Sequence, residues 1–201
     1  MVNGPCAAAL MASIVLFGCS STDATAPPAT GGGVTNVDGQ PANVGTAQLP
    51  PTGKFADIDM WLAKGDYKSW HCEAAPHDAR SPSPHGKNRI CSNDLSSSHT
   101  TGEYPVGAAN VKELYDEAGA KIIGYAIESH VTTGAKGDSW YWYERNPLVG
   151  APAKDGSAGL VANGLGLTAG TPERDVCVGC HAGAGSDAAH SGHDLVYTQV
   201  K

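Results

Sequence analysis

Cys177-Val178-Gly179-Cys180-His181 is the stretch whose residue types and spacing could do the most specific chemistry. Two thiols three residues apart, followed at once by an imidazole, form the attachment signature of a c-type haem. The two sulfurs can add to the two vinyl groups of one porphyrin, and His181 then lies beneath the iron as its axial nitrogen ligand. One short loop would supply tether and ligand together. Other uses of the same residues are a Cys177–Cys180 disulfide, half of a zinc site, or a thioredoxin-like redox pair. Zinc asks for a second Cys/His pair at matching spacing and a redox pair for a βαβ setting, and neither stands nearby. The reading carried forward is one covalently bound haem c near the C-terminus.

The start of the chain points to the compartment in which such a group is attached. Residues 4 to 17 form an apolar, alanine-rich run too short to be a stable membrane anchor, and small residues lead into Gly18-Cys19. This reads as a signal peptide over residues 1–18. Leu16-Phe17-Gly18-Cys19 resembles the lipobox of bacterial lipoproteins, in which the cysteine is acylated and becomes the first residue after cleavage. Phe17 is bulky for that motif and no Lys or Arg precedes the apolar run, so an ordinary secretory signal is the alternative. Haem c is attached outside the cytoplasm, so leader and haem motif agree. Ser20, rather than Asp, follows the lipid-bearing Cys19, and the expected location is therefore periplasmic, lipid-anchored at the outer membrane.

Residues 19–53 are mostly Ser, Thr, Ala, Pro, Gly and Val, with no Lys or Arg before Lys54. That composition buries too little apolar surface to offset its ordering entropy, and a flexible tether is expected. Residues 54–201 remain, about 150 residues, a comfortable size for one core. The formal net charge of -7 argues against nucleic acid and suits a basic redox partner or a small molecule. Of the six cysteines, Cys6 falls in the leader, Cys19 is the lipid candidate, and Cys72 and Cys91 are left after the haem pair. In an oxidising compartment these two most often form a disulfide. A metal site drawn from His71, Cys72, His77, His85 and Cys91 is the alternative, although no spacing there repeats a known ligand pattern.

The elements that must position the motif follow from periodicity. Phe55, Ile58, Trp61 and Leu62 recur at helical spacing, with Gly65 as the stop. Tyr67 and Trp70 read as core anchors, and residues 77–86, with two prolines, as loop. Lys87 to Cys91 reads as a short strand, and Asp94 to His99 as a polar turn or a single helical turn capped by its serines. Ala108 to Tyr115 alternates as a strand, with Asn110, Lys112 and Leu114 on one face and Val111, Glu113 and Tyr115 on the other. Ile122 to Val131 is the longest predicted strand. Ile123, Tyr125 and Ile127 share one face; Gly124, Ala126, Glu128 and His130 share the opposite one. The sparse side chains there could admit a flat macrocycle, or Gly124 could mark close backbone packing. Asp138 to Glu144 is a strand with Trp140 and Trp142 on one side and Tyr141 and Tyr143 on the other. Leu148 to Thr171 has no clear period and reads as a long connection, and Asp194 to Thr198 as a short terminal strand or ordered segment.

Tyr67-Lys68-Ser69-Trp70, Thr101 to Gly107 running into Val111-Lys112-Glu113-Leu114, Asp138 to Tyr141, Cys177 to His181 and Asp194 to Thr198 together resemble the cytochrome P-460 family in order and rough spacing. The resemblance implies an α+β fold, mainly antiparallel β-sheet with a few short helices, one haem c near the C-terminus and five-coordinate iron with an open distal side. It implies either oxidation of hydroxylamine or, as in the related cytochromes c-prime-beta, binding of nitric oxide or carbon monoxide. A soluble cytochrome c is the kind of electron acceptor expected, and a homodimer is among the states related domains adopt. In the matching motif, the lysine that hydroxylamine-oxidising members bond to the porphyrin falls on Lys112; otherwise Lys112 is a solvated strand lysine paired with a carboxylate such as Glu113. Arg89 matches a family arginine suited to a propionate or anionic ligand, or it is simply exposed. The distal carboxylate of those enzymes falls on Ala126, which cannot accept a proton. Glu128, two residues on and about 7 Å away on the same face, is the expected substitute, or else a solvated rim residue. Met60, His190 and His193 are the residues that could close the iron as a sixth ligand, making the protein a plain electron carrier.

Overall fold

The computed structural model describes residues 49–80, 83–134, 136–146, 157–188 and 190–201. The expected leader, the lipid candidate Cys19 and the tether up to residue 48 lie outside the described residues. Gly53, assigned by composition to the tether, is held by the domain: its N–H donates to the Tyr141 hydroxyl (2.7 Å) and its carbonyl accepts from Asn163 (2.8 Å).

Helix α1 spans Phe55–Lys64 and buries Ile58, Trp61 and Leu62, the residues whose spacing defines its apolar stripe. It ends because Gly65 turns left-handed at φ 77°, where its N–H caps the Trp61 carbonyl at 3.2 Å. A single 3₁₀ turn, Asp66–Ser69, then places Tyr67 in the core. Six strands follow: β1 His71–Cys72, β2 Asn88–Ser92, β3 Ala109–Tyr115, β4 Ile122–His130, β5 Trp140–Arg145 and β6 Leu160–Leu165. They pair antiparallel in chain order, so the fold is α+β, a six-stranded meander with a few short helices. Among the described residues no helix is long and apolar enough to cross a membrane.

Four local expectations change or narrow. Helix α2, Asp94–Ser98, is capped by Asn93, whose side-chain oxygen accepts the Ser96 N–H (3.0 Å), and not by its serines. Strand β6 forms inside the segment read as a connection. Its Gly/Ala-rich residues have no side-chain period, but the open edge of β5 offers backbone groups that pair Tyr141 with Leu165 and Tyr143 with Asn163. The C-terminal segment forms no strand; it turns sharply at Asp194 (φ 44°) and Leu195 (φ 71°). The Cys/His motif, expected on a loop, is helical: a π-helical segment Glu173–Val178 runs into α3, Gly179–His181.

The sheet has two different faces. On one, α1 and Tyr67 pack against Val111, Ile127, Tyr141 and Tyr143, closing an apolar core. Cys72 and Cys91, paired in register across β1 and β2, are joined in a disulfide at the edge of this core. On the other face Trp140 and Trp142 pack with Tyr104, Val178, Leu195 and Val196. The alternation in β4 and β5 assigns these faces directly. Gly124 is explained by close packing, since a Cβ there would run into the Arg145 carbonyl.

Candidate functional site

A groove of about 700 Å³, partly open to solvent, runs between the second sheet face and the helical motif. Ile90, Lys112, Ala126 and Glu144 form its sheet wall, Cys177, Cys180 and His181 the opposite wall, and His85 and Tyr197 line it as well.

The motif wall is seated by Val178, which lies so close to Gly137 and Gly166 that a Cβ on either would collide with it. His181 is wedged between the rings of Trp142 (centroids 4.7 Å) and Tyr197 (5.5 Å). Its Nδ1 lies 2.6 Å from the Leu195 carbonyl oxygen, and its Nε2 makes no hydrogen bond among the described residues. Cys177 and Cys180 are both free thiols. Burial, with Glu144, Glu173 and Glu128 adding to it, pushes the Cys177 thiol up to about 12. A thioredoxin-like pair requires the reverse, a thiol depressed toward neutrality.

The sheet wall is a row across three strands, in which register pairs Lys112 with Ala126 and Ala126 with Glu144. Lys112 is not paired with Glu113, which faces the other side of the sheet; among the described residues no carboxylate lies within ion-pair distance of it. Burial lowers the Lys112 pKa, against the pull of Glu128, Glu144, Cys180 and Glu73. Its share of neutral, nucleophilic amine rises accordingly. Glu144 is a site residue the sequence reading missed, and His85, offered there only as a ligand of the alternative metal site, lines the groove instead. Glu144 sits beside Ala126 on the neighbouring strand, and its alternation with Trp140 and Trp142 was the available signal. His85 Nδ1 lies 3.6 Å from Glu144 Oε1, and burial holds the imidazole below its ordinary pKa. Nothing in the local pattern of its proline-rich loop places it on the groove.

No family model matches the chain, and no curated protein or solved structure matches it.

Several candidates are not brought to the groove. Arg89 is corrected: it pairs in register with Glu113, and its Nε donates to Glu113 Oε2 (2.8 Å) on the far face of the sheet. Met60 is 65% exposed on α1, which covers that same far face. His190 pairs with Asp187 (2.8 Å), and His193 stacks on Tyr104 (4.8 Å). The five residues of the alternative metal site are dispersed: Cys72 and Cys91 are disulfide-bonded, His71 meets Asp94, His77 meets Glu73, and His85 meets Glu144. Glu128 does reach the groove, but on the His181 side, with Oε2 3.0 Å from His181 Nδ1.

The donor set suits a haem c. Two free thiols and one imidazole with an unengaged Nε2 share a wall, and the groove holds two buried polar atoms without hydrogen-bond partners, His85 Nδ1 and Glu128 Oε2.

Proposed function

We propose that this chain is an exported mono-haem c-type cytochrome resembling cytochrome P-460, and that it oxidises hydroxylamine or a similarly small nitrogen compound. The observation that carries the reading is that Lys112 and the Cys177/Cys180/His181 motif line one groove, although they are far apart in sequence. Cys177 and Cys180 would tether the group and His181 Nε2 would ligate it. Haem bound there supplies an iron centre that holds the small ligand and accepts its electrons. Lys112 approaches from the sheet wall, where a partly neutral amine is suited to bonding the macrocycle. Oxidation of hydroxylamine releases protons; with Ala126 unable to take them, Glu144, its register partner, and His85 are acceptors on the groove wall. Electrons would leave to a soluble, basic acceptor such as a cytochrome c, in keeping with the net charge of -7. Lipidation at Cys19 would hold the domain at the periplasmic side of the outer membrane, and a homodimer is compatible with the family.

A second reading, a nitric oxide carrier without turnover, is favoured by one observation: the register partner of Lys112 presents only the methyl group of Ala126. The visible spectrum of the purified, matured protein separates the two. A ferrous Soret band displaced far to the red in wild type, and returned to the ordinary haem c position in Lys112→Ala, accompanies hydroxylamine consumption with an artificial acceptor. An ordinary ferrous spectrum with tight nitric oxide binding and no turnover selects the carrier.

A further inference from the structure

Glu128 is a buried carboxylate, 9% exposed, with no Lys or Arg within ion-pair distance among the described residues. An isolated buried carboxylate is costly, so its surroundings should show what it serves. Oε1 accepts from Asn110 Nδ2 (2.8 Å), and Asn110 Oδ1 in turn accepts from Ser96 Oγ (2.8 Å), both residues buried. This brace points the remaining oxygen, Oε2, at His181 Nδ1 (3.0 Å). The hydrogen bond of that nitrogen goes to the Leu195 carbonyl at 2.6 Å, and Oε2 stands beside it as an ion-pair neighbour without a hydrogen bond of its own among the described residues. That carbonyl is delivered by a strained pair, Asp194 (φ 44°) and Leu195 (φ 71°), in a region non-glycine residues seldom occupy. Asp194 Oδ2 anchors the turn by accepting the Tyr104 N–H at 3.0 Å.

A histidine that ligates a metal through one nitrogen is oriented, and made more basic, by an acceptor at the other. We infer that Glu128, together with the Leu195 carbonyl, is a positioning residue on the proximal side: the two hold the Nδ1–H edge of His181, leave Nε2 as the ligating nitrogen, and favour the ferric over the ferrous state. This rests on the haem reading above, and it moves Glu128 from the distal role the sequence suggested. The polar chain from Ser96 through Asn110 to Glu128 is then the rigid back of the iron site.

The test compares matured wild type, Glu128→Gln and Asn110→Ala. Covalent haem is counted by intact mass, the reduction potential is measured by spectroelectrochemistry, and the iron–histidine stretch is read by resonance Raman on the ferrous form. Glu128→Gln is expected to load haem, lower the stretching frequency and shift the ferric/ferrous preference at least tenfold toward ferrous, about 59 mV for one electron. Asn110→Ala should move both readouts the same way by less, and it serves alone if Glu128→Gln does not fold. Haem-loaded variants with unchanged potential and stretch overturn the positioning role, the more so if turnover alone is lost, which would mark Glu128 as a distal base. Wild type that carries no covalent haem overturns the haem reading itself, and this inference with it.

Discussion

Lys112 and Glu113 are neighbours in sequence that serve opposite sides of one sheet, and the two sides obey different rules. Glu113 is fully enclosed, yet each of its oxygens is satisfied: Tyr67 donates to Oε1 (2.8 Å), and Tyr115 and Arg89 donate to Oε2 (2.8 Å each). Burial raises its pKa, but the hydrogen bonds from Arg89, Tyr115 and Tyr67 outweigh that and leave it below the ordinary carboxylate value. Across the sheet, among the described residues, Lys112 has no ion pair, and Glu128 Oε2 and His85 Nδ1 have ion-pair neighbours, His181 and Glu144, but are buried without hydrogen bonds. Glu113, matched at both oxygens, helps to hold the fold together, whereas the groove wall carries Lys112 with no such partner among the described residues. The most elaborate charge cluster of the sheet, around Glu113, is thus a structural one and lies on the side away from the groove.

The largest effect should come from the open face. Replacing Cys177 and Cys180 together with Ser removes both thioether donors, and covalent haem should fall to nothing by pyridine haemochrome assay while the circular dichroism of the sheet persists. Covalent haem surviving the double change would break the distinction between the faces. Next comes Glu113→Ala, which strands Arg89 beside a vacated buried site; it should cost about 3–5 kcal/mol in urea unfolding, as expected for breaking a buried pair. The same group governs acid stability. Because its folded pKa is lowered, its contribution is fully present above the unfolded value and is lost as pH falls through the folded one. Glu113→Gln should therefore flatten the acid limb of stability against pH; an unaltered limb would show that other carboxylates carry it. The smallest of the three is Cys72→Ala with Cys91→Ala, which opens a bridge spanning a sequence separation of 19. Loop-closure entropy sets the loss at about 3 kcal/mol, and the haem spectrum should not move, since the bridge lies beside the closed core. A shifted Soret band would show that the two faces are coupled.

Much of this architecture was legible in the chain. The 3.6-residue recurrence of Ile58, Trp61 and Leu62 specifies α1 and its buried stripe. Period-two alternation in β3, β4 and β5 assigns Lys112, Ala126 and Trp142 to one side and Val111, Ile127 and Tyr143 to the other. The same alternation puts Glu144 on the side of Trp140 and Trp142, next to Ala126 on the groove. Strand β6 was not legible, since its reason for existing is the unpaired edge of β5 and not any side-chain pattern of its own. The reading of Arg89 failed for a related reason. Strand pairing register decides which face a residue takes, and a slip of one residue reverses it. Here Ile90, not Arg89, stands opposite Lys112.

By itself, then, the sequence determined which chemistries are available: a thiol–thiol–imidazole motif on a short segment, a lysine in the middle of a strand, and carboxylates on alternating positions. These are local properties, set by residue type and by the fixed periods of helix and strand. Only the tertiary structure decided who meets whom. It carried His181 against Glu128 and Leu195, placed Cys177 and Cys180 on the same groove as Lys112, and turned Arg89 away. Those encounters join segments that no local period relates, and they depend on strand register and on how the C-terminal turn at Asp194 and Leu195 closes over the motif.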